Sequence, residues 1–153
     1  MTPEQRLAEL GLAVPDVVAP LAAYQPTART GNLVFTAGQL PARDGQMVAT
    51  GKVGAEVTEE QGYDCARQCA LNALAAVKAE IGELSRVTRV VKAVVFVASA
   101  PGFTAQPKVA NGASELLGEV FGDAGRHARS AVGVSVLPLD VPVEVELVVE
   151  VAG

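Results

Sequence analysis

Three glutamates, Glu144, Glu146 and Glu150, alternate with Val143, Val145, Leu147, Val149 and Val151 near the end of the chain. Successive residues of a strand point to opposite faces, so this spacing puts three carboxylates and Val148 on one surface. Two readings fit: a solvated edge face, where Glu usually sits, or a pocket in which one carboxylate faces a cation and moves protons. The segment Gly125-Arg126-His127-Ala128-Arg129-Ser130 supplies the cations. Arg129 has Ala128, Ser130, Ala131 and Val132 around it, an apolar setting. A guanidinium there suits either a substrate carboxylate held by two hydrogen bonds or a structural ion pair at a subunit contact. His127, the only histidine, fits a general base or a hydrogen-bonding loop residue, on the strand face of Arg129 if the strand has begun there. Cys65 and Cys69 are four apart, which is wrong for CxxC, and read as small apolar helix residues. Two thiols and one histidine make no zinc site. GxGxxG, P-loop, GxSxG and HExxH patterns are absent, so dinucleotide, nucleoside-triphosphate, serine-hydrolase and zincin readings find no support.

The elements that must position these residues follow from punctuation and periodicity. Thr2-Pro3-Glu4-Gln5 joins an N-cap, a proline at the first helical position and Gln at N3, predicting a short helix that stops at Gly11. Residues 13–32, with Pro15, Pro20, Pro26 and Gly31-Asn32, read as extended or turning chain before a first firm strand at 33–37. Asp44-Gly45 marks a hairpin turn with a return strand at 47–49. Thr58-Glu59-Glu60-Gln61 is a second capping box, opening an alanine-striped helix with Ala66, Ala70, Ala73, Leu74, Val77 and Ile81, closed by Gly82. Residues 87–98 are apolar on both alternating sets, Val91, Ala93, Val95 and Val97 against Val90, Val94 and Phe96, which predicts a strand buried on both faces. A helix follows at 107–121, then strands at 128–137 and 143–151 joined across Pro138-Leu139-Asp140-Val141-Pro142. That short connection predicts antiparallel pairing of the Arg129 strand with the glutamate strand. The order implies one α+β domain over residues 1–153, with two helices covering one face of a mixed sheet. An apolar second face points to a homo-oligomer.

Composition narrows the classes. In 153 residues there are 25 valines, aromatics are 4% and Trp is absent, so the core is aliphatic and strand-rich. The formal charge of −5 and pI near 4.9 oppose a phosphate-binding surface and argue against nucleic acid as a partner. Mean hydropathy is +0.31, yet charge, Gly or Pro breaks every apolar run before the roughly 20 residues of a membrane span, so no membrane is expected. The start lacks the basic and apolar regions of a secretory signal, which implies a cytoplasmic protein.

The stretch from Gly31 to Pro41, the strand at 87–97, Asn111, Ala128-Arg129-Ser130, Leu137-Pro138 and Val143-Glu144-Val145-Glu146 together resemble the Rid family, also called YjgF-like or reactive intermediate (imine) deaminases. The likeness runs from about Tyr24 to the end, and the helix of residues 1–12 stands as an addition. The resemblance implies a chorismate-mutase-like fold in a homotrimer, with the sheets forming a central barrel and pockets lying between subunits. It implies that Arg129 grips the carboxylate of a 2-imino acid, that Glu144 positions or activates water, and that Tyr24, Gly38, Asn111 and Ser130 belong to the site. The implied reaction is hydrolysis of 2-imino or enamine acids to 2-oxo acids and ammonia, without metal or organic cofactor. A non-catalytic trimer binding small carboxylic acids is the alternative. His127 and Ala131 stand where better-known members carry Pro and Cys, and Ser114 stands near the position of a Tyr, marking a longer, divergent branch.

Overall fold

The computed structural model describes residues 1–20 and 22–153, so Leu21 of the expected 13–32 stretch lies outside the described residues. Both capping boxes form. Thr2 Oγ1 accepts from the Gln5 N–H and opens α1 (Pro3–Glu9), and Thr58 does the same with Gln61 to open α2 (Glu59–Ile81). The alanine stripe of α2 is buried from Ala66 to Ile81, and the helix stops at Gly82, whose φ of 93° suits a residue without Cβ. The second long helix is α3 (Gln106–Phe121). It meets α2 so closely that a Cβ on Gly112 would lie 2.0 Å from the Tyr63 carbonyl oxygen. Helix α1, also expected, packs on α3 with Leu7 fully buried, so it joins the two helices expected to cover the sheet.

The main sheet holds β1 (Thr27–Thr30), β2 (Leu33–Thr36), β5 (Val87–Ala98), β6 (Ala128–Val134) and β7 (Val143–Val151). Their order is β1-β2-β7-β5-β6; β5 and β6 run parallel and the other pairs antiparallel. Within the stretch read as extended chain, β1 forms a hairpin with β2 across Gly31-Asn32. The Asp44–Gly45 turn joins a separate two-stranded sheet, β3 (Ala42–Arg43) and β4 (Gln46–Met47), shorter than expected.

Two expectations are corrected. The Arg129 strand does not pair with the glutamate strand; β5 lies between them. The α3 crossover returns β6 parallel to β5, which a helical connection allows. The proline-flanked link then passes the end of β5, where the Ala98 N–H donates to the Pro142 carbonyl, instead of closing a hairpin. Leu139 and Asp140 turn this link through left-handed backbone, and Lys52 pairs with Asp140 there. Strand β6 also ends at Val134, short of residue 137.

The second correction concerns phase. Register shifts between Val87 and Arg89 and between Val90 and Lys92 break the alternation of β5. Val90 therefore joins Ala93, Val95 and Val97 in the core, while Val91 is exposed. Within the chain only the helix-covered face of β5 is buried. The open face of the sheet carries Phe35, Phe96, Val132 and Val148 together with Glu144 and Glu146, and Phe35 and Val132 are 41% and 44% exposed.

Candidate active site

Glu144 sits on the open face, opposite Phe96 of β5. Beside it, Gln39 bridges Val145 through two backbone hydrogen bonds, N to O 2.7 Å and O to N 3.0 Å, so Gly38 lies against the Glu144 side chain. A Cβ on Gly38 would come within 2.3 Å of Glu144 Oε2, so only glycine leaves the carboxyl where it is. The two border a cavity of about 380 Å³, walled mostly by apolar groups that include Val18, Pro20, Tyr24, Leu40 and Met47. Burial in this setting, then the neighbouring Glu146, holds the Glu144 carboxyl above its ordinary range. No cation pairs with it among the described residues. Tyr24, Gly38 and Glu144 thus line one cavity.

Buried amides of α2 hold the cavity's loop. The Asn72 side-chain NH₂ donates to the carbonyls of Leu40 and Ala42 at 3.0 and 2.9 Å, and Gln68 Nε2 donates to Asn72 Oδ1 at 3.1 Å. Sequence reading passed over this pair. Its signal was two amides one turn apart on a helix whose other inward residues are apolar.

Arg129 occupies the helix-covered side of the edge strand β6. Its Nη1 donates to Asn111 Oδ1 at 2.8 Å and Ser114 Oγ at 3.1 Å, and its Nη2 to the Pro107 carbonyl at 3.3 Å. A guanidinium has five N–H groups, so two, Nε–H among them, are left without a protein acceptor among the described residues. Arg129 and Asn111 therefore meet. Ser130, the next residue, faces the other side of β6 and pairs in register with Val94. His127 lies just before the strand begins, with Nε2 2.9 Å from Ser114 Oγ and Nδ1 2.6 Å from the Gly125 carbonyl oxygen. A second cavity of about 360 Å³ opens between Ser114, Gly118, Gly125, Arg126, His127 and Arg129.

The single chain does not bring Arg129 and Glu144 together. Arg129 is in register with Ala93 and reaches α3, whereas Glu144 is in register with Phe96 on the opposite face, and β5 separates their strands. Of the other groups singled out, Glu150 accepts from Thr88 Oγ1 at 2.7 Å and is exposed. Both thiols are buried: desolvation pushes Cys65 up to about 11 and Cys69 well above its ordinary value, so both are poor nucleophiles.

The profile of the family described as "YjgF/chorismate_mutase-like, putative endoribonuclease" matches residues 4–151. The chain belongs to this family. It is 46% identical to Protein TCP17 of Trypanosoma cruzi over 145 residues, 94% of this chain and 91% of that protein. A crystal structure titled "putative endoribonuclease" from Shewanella oneidensis is 38% identical with a TM-score of 0.96, covering 99% of this chain and 100% of that one. That span takes in the residues of α1. E. coli TdcF with bound serine is 25% identical with a TM-score of 0.63, covering 91% of this chain and 94% of TdcF. The fold is the YjgF/chorismate-mutase-like α+β fold, three helices on a mixed sheet. No helix among the described residues is long and apolar enough to cross a membrane.

Proposed function

We propose that the protein hydrolyses 2-imino and enamine acids, of the 2-aminoacrylate or 2-iminobutyrate type, to 2-oxo acids and ammonia, in a homotrimer whose pockets lie between copies. The observation that carries the reading is Glu144, a carboxyl with a raised proton affinity in an apolar cavity, fitted against Gly38. The enamine first tautomerises to the imine. Water then adds to the C=N carbon as Glu144 takes one water proton and passes it to the nitrogen; the C–N bond of this carbinolamine breaks as the hydroxyl proton moves through Glu144 to the departing amine, leaving C=O and ammonia. Arg129 orients the substrate by holding its carboxylate with the Nε–H and the remaining Nη2 N–H. Asn111 keeps the guanidinium in place, while Tyr24 and Gly38 shape the pocket around the reacting carbon and Ser130 lines its approach. Because Arg129 and Glu144 lie on opposite faces of one sheet, the open apolar face of one copy must dock on another for both to meet one substrate. TdcF with bound serine supports an amino-acid-like ligand.

A non-catalytic trimer that captures small carboxylic acids is favoured by one observation: the Arg129 environment is complete without Glu144. The family description also names an endoribonuclease, but a net charge of −5 and few aromatics disfavour RNA as the substrate. The deciding assay generates 2-iminobutyrate with a threonine dehydratase and follows 2-oxobutyrate. Acceleration over free hydrolysis is expected, and its absence overturns the deaminase. An Arg129→Ala variant as active as the parent overturns the site. RNA binding with a steep salt dependence would reverse the choice of substrate.

A further inference from the structure

We infer that Ser114 and His127 are positioning residues for Arg129, forming a directed hydrogen-bond chain that locks the guanidinium with its carboxylate-binding edge free. The inference rests on the role of Arg129 proposed above, and the directions of the bonds follow from what each atom can do. The Gly125 carbonyl only accepts, so the His127 Nδ1, 2.6 Å away, carries the proton. Taking the imidazole as neutral, with its one proton on Nδ1, Nε2 is an acceptor, and the Ser114 hydroxyl, 2.9 Å away, donates its hydrogen to it. With its hydrogen spent, Ser114 Oγ offers a lone pair to Arg129 Nη1, 3.1 Å away, which can only donate. The chain therefore runs Arg129 to Ser114 to His127 to Gly125, every donor meeting one acceptor.

Its anchor is rigid. A Cβ on Gly125 would fall 2.2 Å from the Leu117 carbonyl oxygen of α3, so the residue that receives the last bond is wedged against the same helix that carries Ser114. Together with Asn111, also on α3, the chain occupies both Nη1 hydrogens, and the Pro107 carbonyl takes one from Nη2. The plane of the guanidinium is fixed from the α3 side, and bonds in series polarise one another. The hydrogen bonds link His127 to Arg129 only through Ser114, which separates positioning from general structural support.

The test compares Ser114→Ala, His127→Ala, the double variant, and His127→Gln, whose Oε1 can replace the Nε2 acceptor. Kd for 2-oxobutyrate is measured by calorimetry, with kcat and KM for 2-iminobutyrate hydrolysis beside it. Each alanine variant is expected to raise Kd and KM about tenfold with kcat within about twofold. The double variant should match Ser114→Ala alone, and His127→Gln should stay near the parent. Additive losses in the double variant, or an unchanged Kd in Ser114→Ala, overturn the inference. If the parent neither binds 2-oxobutyrate nor turns over the imine, the proposed function fails. The chain is then read from the ¹⁵N–¹H resonances of Arg129 Nη1, whose two hydrogens Asn111 and Ser114 accept, resolved from those of Nη2 in the parent and averaged with them in Ser114→Ala and His127→Ala. A resonance that ignores both substitutions overturns it on its own.

Discussion

The Glu144 carboxyl rests on the backbone of Gly38, with no room between them for a Cβ, which would lie 2.3 Å from Oε2. The atom in the way ends a flexible side chain, so Gly38→Ala moves the carboxyl instead of breaking the fold. The expected outcome is a fall in kcat/KM of about 10²-fold with thermal stability close to that of the parent, read by imine hydrolysis and a melting curve.

Glu144→Gln keeps the shape and removes the proton acceptor. We expect kcat to fall by about 10²–10⁴. In the parent, kcat/KM should rise with pH through a value above the ordinary 4.5 of a glutamate, because burial and Glu146 raise this carboxyl. That rise should be absent in the variant.

The same shift has a stability consequence. Folded Glu144 keeps its proton at pH values where the unfolded chain has lost it, so between 4.5 and the raised value the folded state binds more protons. Stability therefore falls as pH increases through that window. Urea melts should find Glu144→Gln more stable than the parent at pH 7, with the difference vanishing below pH 4.5.

Arg129→Lys retains the charge but loses the planar fork and the shared bonds to Asn111, Ser114 and Pro107. Kd for 2-oxobutyrate should rise about tenfold or more, a loss of roughly 1.5–3 kcal/mol for a hydrogen bond to a charged group, while circular dichroism stays that of the parent.

Gly112→Ala tests the helix layer. Its Cβ would meet the Tyr63 carbonyl oxygen at 2.0 Å, and that contact is backbone, so α2 and α3 must separate. A destabilisation of about 3 kcal/mol is expected from denaturant unfolding.

Much of the fold was legible because its signals are local. Thr58 with Gln61, the alanine stripe from Ala66 to Ile81, Asp44–Gly45 and the alternation from Val143 to Val151 each depend on residues within a few turns of one another, and each formed its element. That Arg129 lies beside Asn111, and Glu144 beside Gly38 and Tyr24, follows from no local pattern, because these residues are distant along the chain.

What sequence alone determined was where most of the helices and strands lie. Periodicity sets these through steric and hydrogen-bonding rules that act over a few residues. Tertiary structure alone decided that β5 separates the strands of Arg129 and Glu144, because pairing partners are chosen by the path of the α3 crossover and of the Pro138–Pro142 link. It also decided which side of β5 is core. One displaced residue at a bulge inverts the alternation, so Val90 is buried where a strict period of two would expose it. The three-residue contact of Arg129, Ser114 and His127 is likewise invisible along the chain, since it exists only where the start of β6 lies against α3.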